Sequence, residues 1–147
     1  MSIYHHILLA VDFFGQNKIL IERAEDLAQK NQARLSLIHV VDIMPVSDPA
    51  YEIMLPIDLD LRDEYIKSTK SKLDELAKKI KVANVEVYLE TGSPKQEIVR
   101  LAEEIPADLI IIGSHGRHGL ALLLGSTANG VLHHATCDVL AVRLPDN

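Results

Sequence analysis

The sequence predicts an α/β fold in which a parallel sheet of five strands is covered by helices on both faces. Four short runs are almost wholly apolar over strand length, which is typical of strands buried on both faces. Segments with helical apolar periodicity separate these runs. The chain has 147 residues, enough to enclose one core of this kind. Strand and helix therefore alternate along what we expect to be a single domain over residues 1–147.

The strands follow from the apolar runs. These runs occupy residues 7–11, 35–41, 109–112 and 139–142. A fifth run, residues 85–90, alternates apolar with polar residues, as half-exposed strands do. We therefore place this fifth strand at an edge of the sheet.

The helices follow from apolar stripes with i, i+3 and i+4 spacing. The clearest boundary opens the third helix, where Ser93 can cap, Pro94 suits the first position, and Gln96 can complete a capping box. Residues 44–61 hold three prolines and predict a long irregular connection before the second helix. The stripes are Leu20, Ala24, Leu27 and Ala28; Ile66, Thr69, Leu73, Leu76, Ala77 and Ile80; Ile98, Leu101, Ala102 and Ile105; and Ala128, Val131, Leu132 and Ala135.

Composition excludes several classes of protein. Fifteen Lys and Arg against 21 Asp and Glu give a net charge of −6, the wrong sign for general nucleic-acid binding. The single cysteine, Cys137, allows no intramolecular disulfide and no cysteine-rich zinc site. No apolar run reaches bilayer length, and the first residues do not resemble a secretory signal. We therefore expect a cytoplasmic protein with no membrane or nucleic-acid partner.

The most informative stretch follows the fourth apolar run and leads into the last helix. Its glycines, Gly113, Gly116 and Gly125, allow backbone N–H groups to approach a phosphate. The start of the last helix attracts an anion, and Ser126 and Thr127 add hydroxyl donors. The alternative is that the glycines serve only a turn and that Ser126 only caps the helix. In this stretch His115 and Arg117 are candidate phosphate donors, with exposed loop residues as the alternative.

Topology points to the same region. Ligands of open α/β sheets bind outside the carboxyl ends of the strands, at the point where the winding direction reverses. If the fourth strand lies beside the first, Asp12 and Gly113 end neighbouring strands at that point. Asp12 can accept hydrogen bonds from ribose hydroxyls, or it can cap the first helix. The chain has neither GxxxxGK[ST] nor GxGxxG after its first strand, which excludes the two standard nucleotide motifs.

Other candidate sites are weaker. His133 and His134 are adjacent on a predicted helix and point in different directions, so we expect no metal site among the late histidines, which also include His115 and His118. Cys137 is interpreted as a small apolar residue rather than a redox thiol. No nucleophile, base and orienting group can be assembled from the sequence. We therefore assign no catalytic residue.

Several motifs are spread along the chain from end to end. The motifs are ILLAVD at residues 7–12, LIHVVD at 37–42, GSP at 92–94, ADLIIIGSHG at 107–116 and CDVLAV at 137–142. In this order they resemble the motifs of the universal stress proteins.

The resemblance implies a Rossmann-like fold of the adenine nucleotide alpha hydrolase type, with strand order 3-2-1-4-5. It also implies a homodimer formed through the last strand, residues 139–143, which begins at Val139 and ends at Arg143. The implied ligand is ATP or another adenine nucleotide, with Mg as a candidate companion. In nucleotide-binding members an acidic residue matching Asp12 lies near the ribose and a residue matching Val40 lies near the adenine. Val11, beside Asp12, is included in the implied site.

In those members the phosphates lie on a loop with the pattern G-x2-G-x9-G-[ST]. Gly113, Gly116, Gly125 and Ser126 match its glycines and hydroxyl, but eight residues rather than nine separate Gly116 from Gly125. The leading hypothesis is a stress-response protein switched by an adenine nucleotide, with slow ATP hydrolysis or autophosphorylation as its greatest activity. The alternative is a nucleotide-free dimeric module that acts through protein partners.

Overall fold

The strands of the computed structural model, which describes residues 2–12, 17–42, 59–114 and 126–144, form one parallel sheet. The strand order is β3-β2-β1-β4-β5, so the predicted topology and the edge position of β3 are confirmed. The strands are β1 (His6–Ala10), β2 (Arg34–Asp42), β3 (Glu86–Gly92), β4 (Leu109–Gly113) and β5 (Asp138–Val142). The helices are α1 (Asn17–Asn31), α2 (Leu59–Lys79), α3 (Pro94–Glu104) and α4 (Ser126–His134).

Apolar residues cover both faces of the three central strands, β2, β1 and β4. Successive side chains of a strand point to opposite faces, so each apolar run supplies two cores. On one face, Leu9 packs with residues of α1 and α2 such as Ala24 and Leu73. On the other face, Leu8 packs with residues of α3 and α4 such as Leu101 and Val131. The two cores confirm the predicted arrangement of helices on both sides of the sheet.

The start of α3 shows a difference from the prediction. Gly92 ends β3 with φ +132°, a backbone angle that L side chains rarely adopt, and Ser93 then occupies the N-cap position in an extended conformation. The Ser93 side chain makes no cap hydrogen bond, although the Ser93 carbonyl accepts the Glu97 N–H at 2.9 Å. The predicted start of the helix and the position of Pro94 in its first turn are confirmed, but the predicted side-chain cap from Ser93 is wrong. The backbone hydrogen bonds of α3 therefore begin at the Ser93 carbonyl without a side-chain cap.

The remaining connections are described in part. Most of the predicted irregular connection at residues 44–61 lies outside the described residues, and α2 begins at Leu59. Within the described ranges, no helix is both long enough and apolar enough to cross a membrane.

A buried polar cluster joins β1, β2 and the end of α3 at the amino edge of the sheet. His6 Nδ1 lies 3.0 Å from the carbonyl oxygen of Ile105, and His6 Nε2 lies 2.7 Å from Ser36 Oγ. A carbonyl oxygen only accepts, so Nδ1 carries the hydrogen and Nε2 of the neutral ring accepts from Ser36. Burial, and then the nearby positive charge of Arg34, lowers the pKa of His6. The cluster is therefore built for an uncharged imidazole.

We expect the free energy of unfolding to fall as pH decreases from 7.5 to 5.5. Because the pKa of His6 is lowered in the folded chain, the unfolded chain binds more protons once pH falls below about 6.5, the ordinary histidine value. Backbone N–H groups of His6 and His5 hold the pKa of Asp108 below its ordinary value despite burial, so that carboxylate stays charged in this window. Urea unfolding at both pH values measures the effect. The variant His6→Gln should lose less stability than wild type between the two pH values; equal losses in the two proteins would contradict this account.

Candidate functional site

Six of the predicted site residues lie at the carboxyl edge of the sheet. Because β2, β1 and β4 are parallel neighbours, their carboxyl ends meet at this edge. The helix α4 connects the parallel strands β4 and β5, so it begins at the same edge. The six residues are Val11, Asp12, Val40, Gly113, Ser126 and Thr127. The other four, His115, Gly116, Arg117 and Gly125, lie outside the described residues.

Hydrogen bonds from β2 and α1 hold the segment that follows β1. The Val11 N–H donates to the Ile38 carbonyl at 2.9 Å, and His39 Nδ1 lies 2.9 Å from the Val11 carbonyl oxygen. The Asp12 N–H donates to Asn17 Oδ1 at 3.3 Å. Val11 is buried and Asp12 is half-buried. The backbone that carries the Asp12 carboxylate is therefore fixed from two sides.

Sequence reasoning missed His39 and Asn17 as residues of this region. His39 carried one signal, because it and Ser36 are the polar side chains within the apolar run at residues 35–41. A histidine in a strand buried on both faces needs a hydrogen-bond partner. Asn17 carried no signal in the sequence beyond its position near the start of a predicted helix.

Val40 supplies an apolar surface beside this segment. It is half-buried and packs against the core beneath α3 and α4. In the sheet it pairs with Glu90 of the edge strand β3. Part of the Val40 side chain is therefore accessible near the end of β2.

Gly113 has a packing role at the end of β4. A Cβ atom at this position would lie 2.8 Å from Leu144 Cδ1 and 3.6 Å from Leu20 Cδ1. The next residue, Ser114, donates its N–H to the Val142 carbonyl at 2.8 Å, which ties this strand end to β5. The structure thus gives a reason for this glycine that does not involve a ligand.

Replacing Gly113 with valine should destabilise the fold by about 1–3 kcal/mol, the usual cost of overpacking a core. The reason is that the new side chain must displace Leu144 and contact Leu20. Chemical denaturation measures the loss. In a Leu144→Ala background the added loss should be smaller, because the displaced side chain is gone. If Gly113→Val lowers the free energy of unfolding by the same amount in both backgrounds, this explanation is contradicted.

Helix α4 begins at the carboxyl edge of the sheet, and its first turn carries Ser126 and Thr127. Ser126 is exposed and Thr127 is half-buried, while Ala128 and Val131 are buried and anchor the helix. The stem of Lys95 from α3 crosses α4 at Gly130, where a Cβ would lie 2.6 Å from Lys95 Cδ. The absence of a side chain at Gly130 thus allows α3 and α4 to approach closely. The start of a helix is a favourable place for an anion.

The two other candidate sites involve the late histidines and Cys137, and of these residues His115 and His118 lie outside the described ranges. Of the residues that the structure describes, no three His, Cys, Asp or Glu side chains are placed to share a metal ion. His133 and His134 are both exposed in the last turn of α4. Cys137 is half-buried, and burial raises the pKa of its thiol. A raised thiol pKa disfavours the reactive thiolate, in agreement with the interpretation of Cys137 as an apolar residue.

The strand order, the helices on both faces and the residues at the carboxyl edge define a Rossmann-like α/β protein with a candidate ligand site at the β1/β4 junction. Residues 3–143 match the model of the universal stress protein family. The chain belongs to this family. The predicted fold and the resemblance of the sequence motifs are thereby confirmed.

Relatives match over nearly their whole length. Universal stress protein A homolog 1 of Coxiella burnetii is 40% identical over 143 residues, which cover 97% of this chain and 99% of that protein. The structure of universal stress protein UspA from Lactobacillus plantarum is 28% identical, with a TM-score of 0.75 and coverage of 97% and 100%. A universal stress protein solved in complex with cAMP is 25% identical, with a TM-score of 0.62 and coverage of 96% and 98%.

Proposed function

We propose that this chain binds an adenine nucleotide, ATP or a related one, at the carboxyl edge of β2, β1 and β4. The observation that supports the proposal most is that Asp12, held by β2 and α1, and the start of α4 lie at the same carboxyl edge of the sheet. A family member of 25% identity was solved with cAMP, an adenine nucleotide. The same ligand chemistry suits this edge.

Each part of a nucleotide has a chemically suitable residue at this edge. The accessible part of Val40 offers an apolar surface for the adenine ring. The Asp12 carboxylate is an acceptor for ribose hydroxyls, the role that acidic residues have in dinucleotide folds. The N–H groups and hydroxyls of Ser126 and Thr127 at the start of α4 suit a phosphate. A bound Mg would be held by the phosphates in the same place.

Competition for a fluorescent ATP analogue tests this proposal. The purified chain is first freed of co-purified nucleotide, and ATP and GTP are then compared as competitors. We expect ATP to displace the analogue and GTP to displace it less well, because an apolar surface such as that of Val40 favours adenine over the more polar guanine. No saturable binding of the analogue, or equal competition by GTP, would contradict the proposal.

We further propose that nucleotide occupancy tunes the binding of a protein partner during stress. Apart from that partner, the chain is proposed to pair with a second copy of itself. Strand β5 pairs with β4 on one side, and no strand in the described ranges pairs with its other side. Such an edge is a template for pairing with a second chain. Residues Val139 to Arg143 would form the interface.

Sedimentation equilibrium tests the dimer. We expect a mass of about twice the 16.3 kDa of one chain, since two β5 edges can pair and complete each other's hydrogen bonds. A single species of 16.3 kDa at micromolar concentration would contradict the proposed interface.

One observation favours a second function, a nucleotide-free interaction module: the eight-residue interval between Gly116 and Gly125. Insertion of one residue in this interval distinguishes the two. A large gain in ATP affinity would show that the spacing opposes binding in the natural chain and would favour the module. An unchanged or lower affinity in a chain that already binds ATP would exclude this explanation.

A further inference from the structure

We propose that His39 is a positioning residue for the ribose end of the nucleotide site: by holding the Val11 carbonyl, it fixes the orientation of the Asp12 carboxylate and so selects ligands that carry ribose hydroxyls. The proposal rests on the proposed function, because it assigns a determinant of specificity to that same site. His39 itself touches Val11 and acts on the ligand through Asp12.

The position of His39 follows from the end of strand pairing. The register between β1 and β2 runs from His6 with Arg34 to Ala10 with Ile38, where β1 ends. One further backbone hydrogen bond joins the Val11 N–H to the Ile38 carbonyl at 2.9 Å. Beyond it, the imidazole of His39 takes the place of a backbone donor and reaches the Val11 carbonyl oxygen, also at 2.9 Å. Both polar backbone groups of Val11 are thus bound to consecutive residues of β2.

The chemistry of this contact leaves one arrangement of hydrogens. A carbonyl oxygen only accepts, so Nδ1 of His39 carries the hydrogen in either charge state of the ring. The His39 side chain is 8% exposed and Val11 is 5% exposed, so water has little access to replace the lost donor. A buried carbonyl left without a donor is costly, and the chain would shift to satisfy it. The next residue along that chain is Asp12.

A shift of this backbone matters for the carboxylate because hydrogen bonds are sensitive to geometry. Donor–acceptor distances beyond about 3.5 Å or strongly bent angles forfeit most of the interaction. The Asp12 N–H also donates to Asn17 Oδ1 at 3.3 Å, a longer distance than that of the His39 contact with the Val11 carbonyl. His39 therefore contributes a short, buried contact to the placement of the backbone that carries the carboxylate.

His6 provides a matched control for a purely structural role. It is 5% exposed, and it too binds a backbone carbonyl through Nδ1, that of Ile105 at 3.0 Å. Its contact lies at the amino edge of the sheet, at the opposite end of β1 from Asp12. Loss of either histidine should lower stability. Only the loss of His39 should change the preference of the site for ligands that carry ribose hydroxyls.

The experiment compares the affinities of ATP and 2′,3′-dideoxy-ATP for the full chain by isothermal titration. Wild type should bind ATP at least about tenfold more tightly than the dideoxy compound, and Asp12→Ala should bring this ratio close to one. His39→Leu should also bring the ratio close to one, through weaker ATP binding. His6→Leu should keep the wild-type ratio.

Two conservative variants keep the test decisive if His39→Leu does not fold. An asparagine amide can place a donor near the position of Nδ1, whereas a glutamine amide places it one carbon farther out. His39→Asn should therefore retain most of the ratio, and His39→Gln should lose most of it. Equal ratios in wild type, His39→Gln and His39→Leu would overturn the positioning role while leaving the proposed function intact. Failure of wild type to bind ATP at all would instead overturn the proposed function.

Discussion

Replacing Asp12 with alanine is expected to weaken ATP binding by about 10- to 100-fold. The carboxylate would accept hydrogen bonds from the ribose hydroxyls, and hydrogen bonds to a charged group contribute about 1.5–3 kcal/mol, with 1.4 kcal/mol for each factor of ten in affinity. Isothermal titration of ATP into the two proteins gives the ratio directly. Thermal unfolding of the variant should show that the fold persists, because Asp12 is half-buried and lies outside the strands.

The matched control is Asp26→Ala. Asp26 is an exposed residue of α1 that forms an i, i+4 ion pair with Lys30, 3.0 Å between Oδ2 and Nζ. The substitution removes the same negative charge from the chain, so it reproduces any general electrostatic effect on an anionic ligand. We expect ATP affinity within about twofold of wild type, because an exposed pair of this kind contributes little. Removing a negative charge by itself favours an anionic ligand, so equal weakening of ATP binding by both substitutions would contradict the assignment of the Asp12 carboxylate to the ribose.

Replacing Ile110 with alanine is expected to lower the free energy of unfolding by about 2–5 kcal/mol, the usual range for deleting a large aliphatic side chain from a core. Ile110 lies in β4, is fully buried, and faces the core beneath α3 and α4. Its register partners are Leu8 in β1 and Val139 in β5. The cavity would therefore open among β1, β4 and β5, and two of these strands, β1 and β4, end at the candidate site. Urea denaturation should show a lower midpoint with little change in the slope.

Leu132→Ala is the control for that substitution. Leu132 lies on α4, the helix that covers the same core, but its side chain is 40% exposed. Its replacement should change the free energy of unfolding by much less, within about 0.5 kcal/mol. A loss as large as that for Ile110 would mean that an assembly covers the outer face of α4, and it would contradict the assignment of the core.

The strands, the helices and their order could be predicted because each depends on residues close together in the sequence. Four unbroken apolar runs indicate strands covered on both faces, and the alternation at residues 85–90 indicates an edge strand. Both patterns report burial directly, and burial decides where a strand lies in a sheet that helices cover on both faces. The strand order itself came from the family resemblance, and the pairing of β1 with both β2 and β4 confirms it.

The contacts that shape the site could not be predicted in this way, because they join residues far apart in the chain. His39 meets the Val11 carbonyl across 28 residues. Gly113 makes room for Leu144, which follows β5 and is far from Gly113 in the sequence. The Ser93 cap failed for a different reason: the residue type permits a side-chain cap, but the local backbone decides whether it forms. Sequence patterns thus locate the edge of the sheet that carries the candidate site, while long-range packing decides the geometry of that edge.

Isothermal titration of the nucleotide-free chain with Mg-ATP, ADP and AMP in separate runs is the most direct test of the central claim. The protein must first be shown by absorbance to carry no co-purified nucleotide. The account predicts saturable binding of at least one of the three at micromolar concentrations, with one nucleotide per chain. No heat of binding from any of them, in a sample that unfolds cooperatively, would contradict the claim that this edge of the sheet is a nucleotide site.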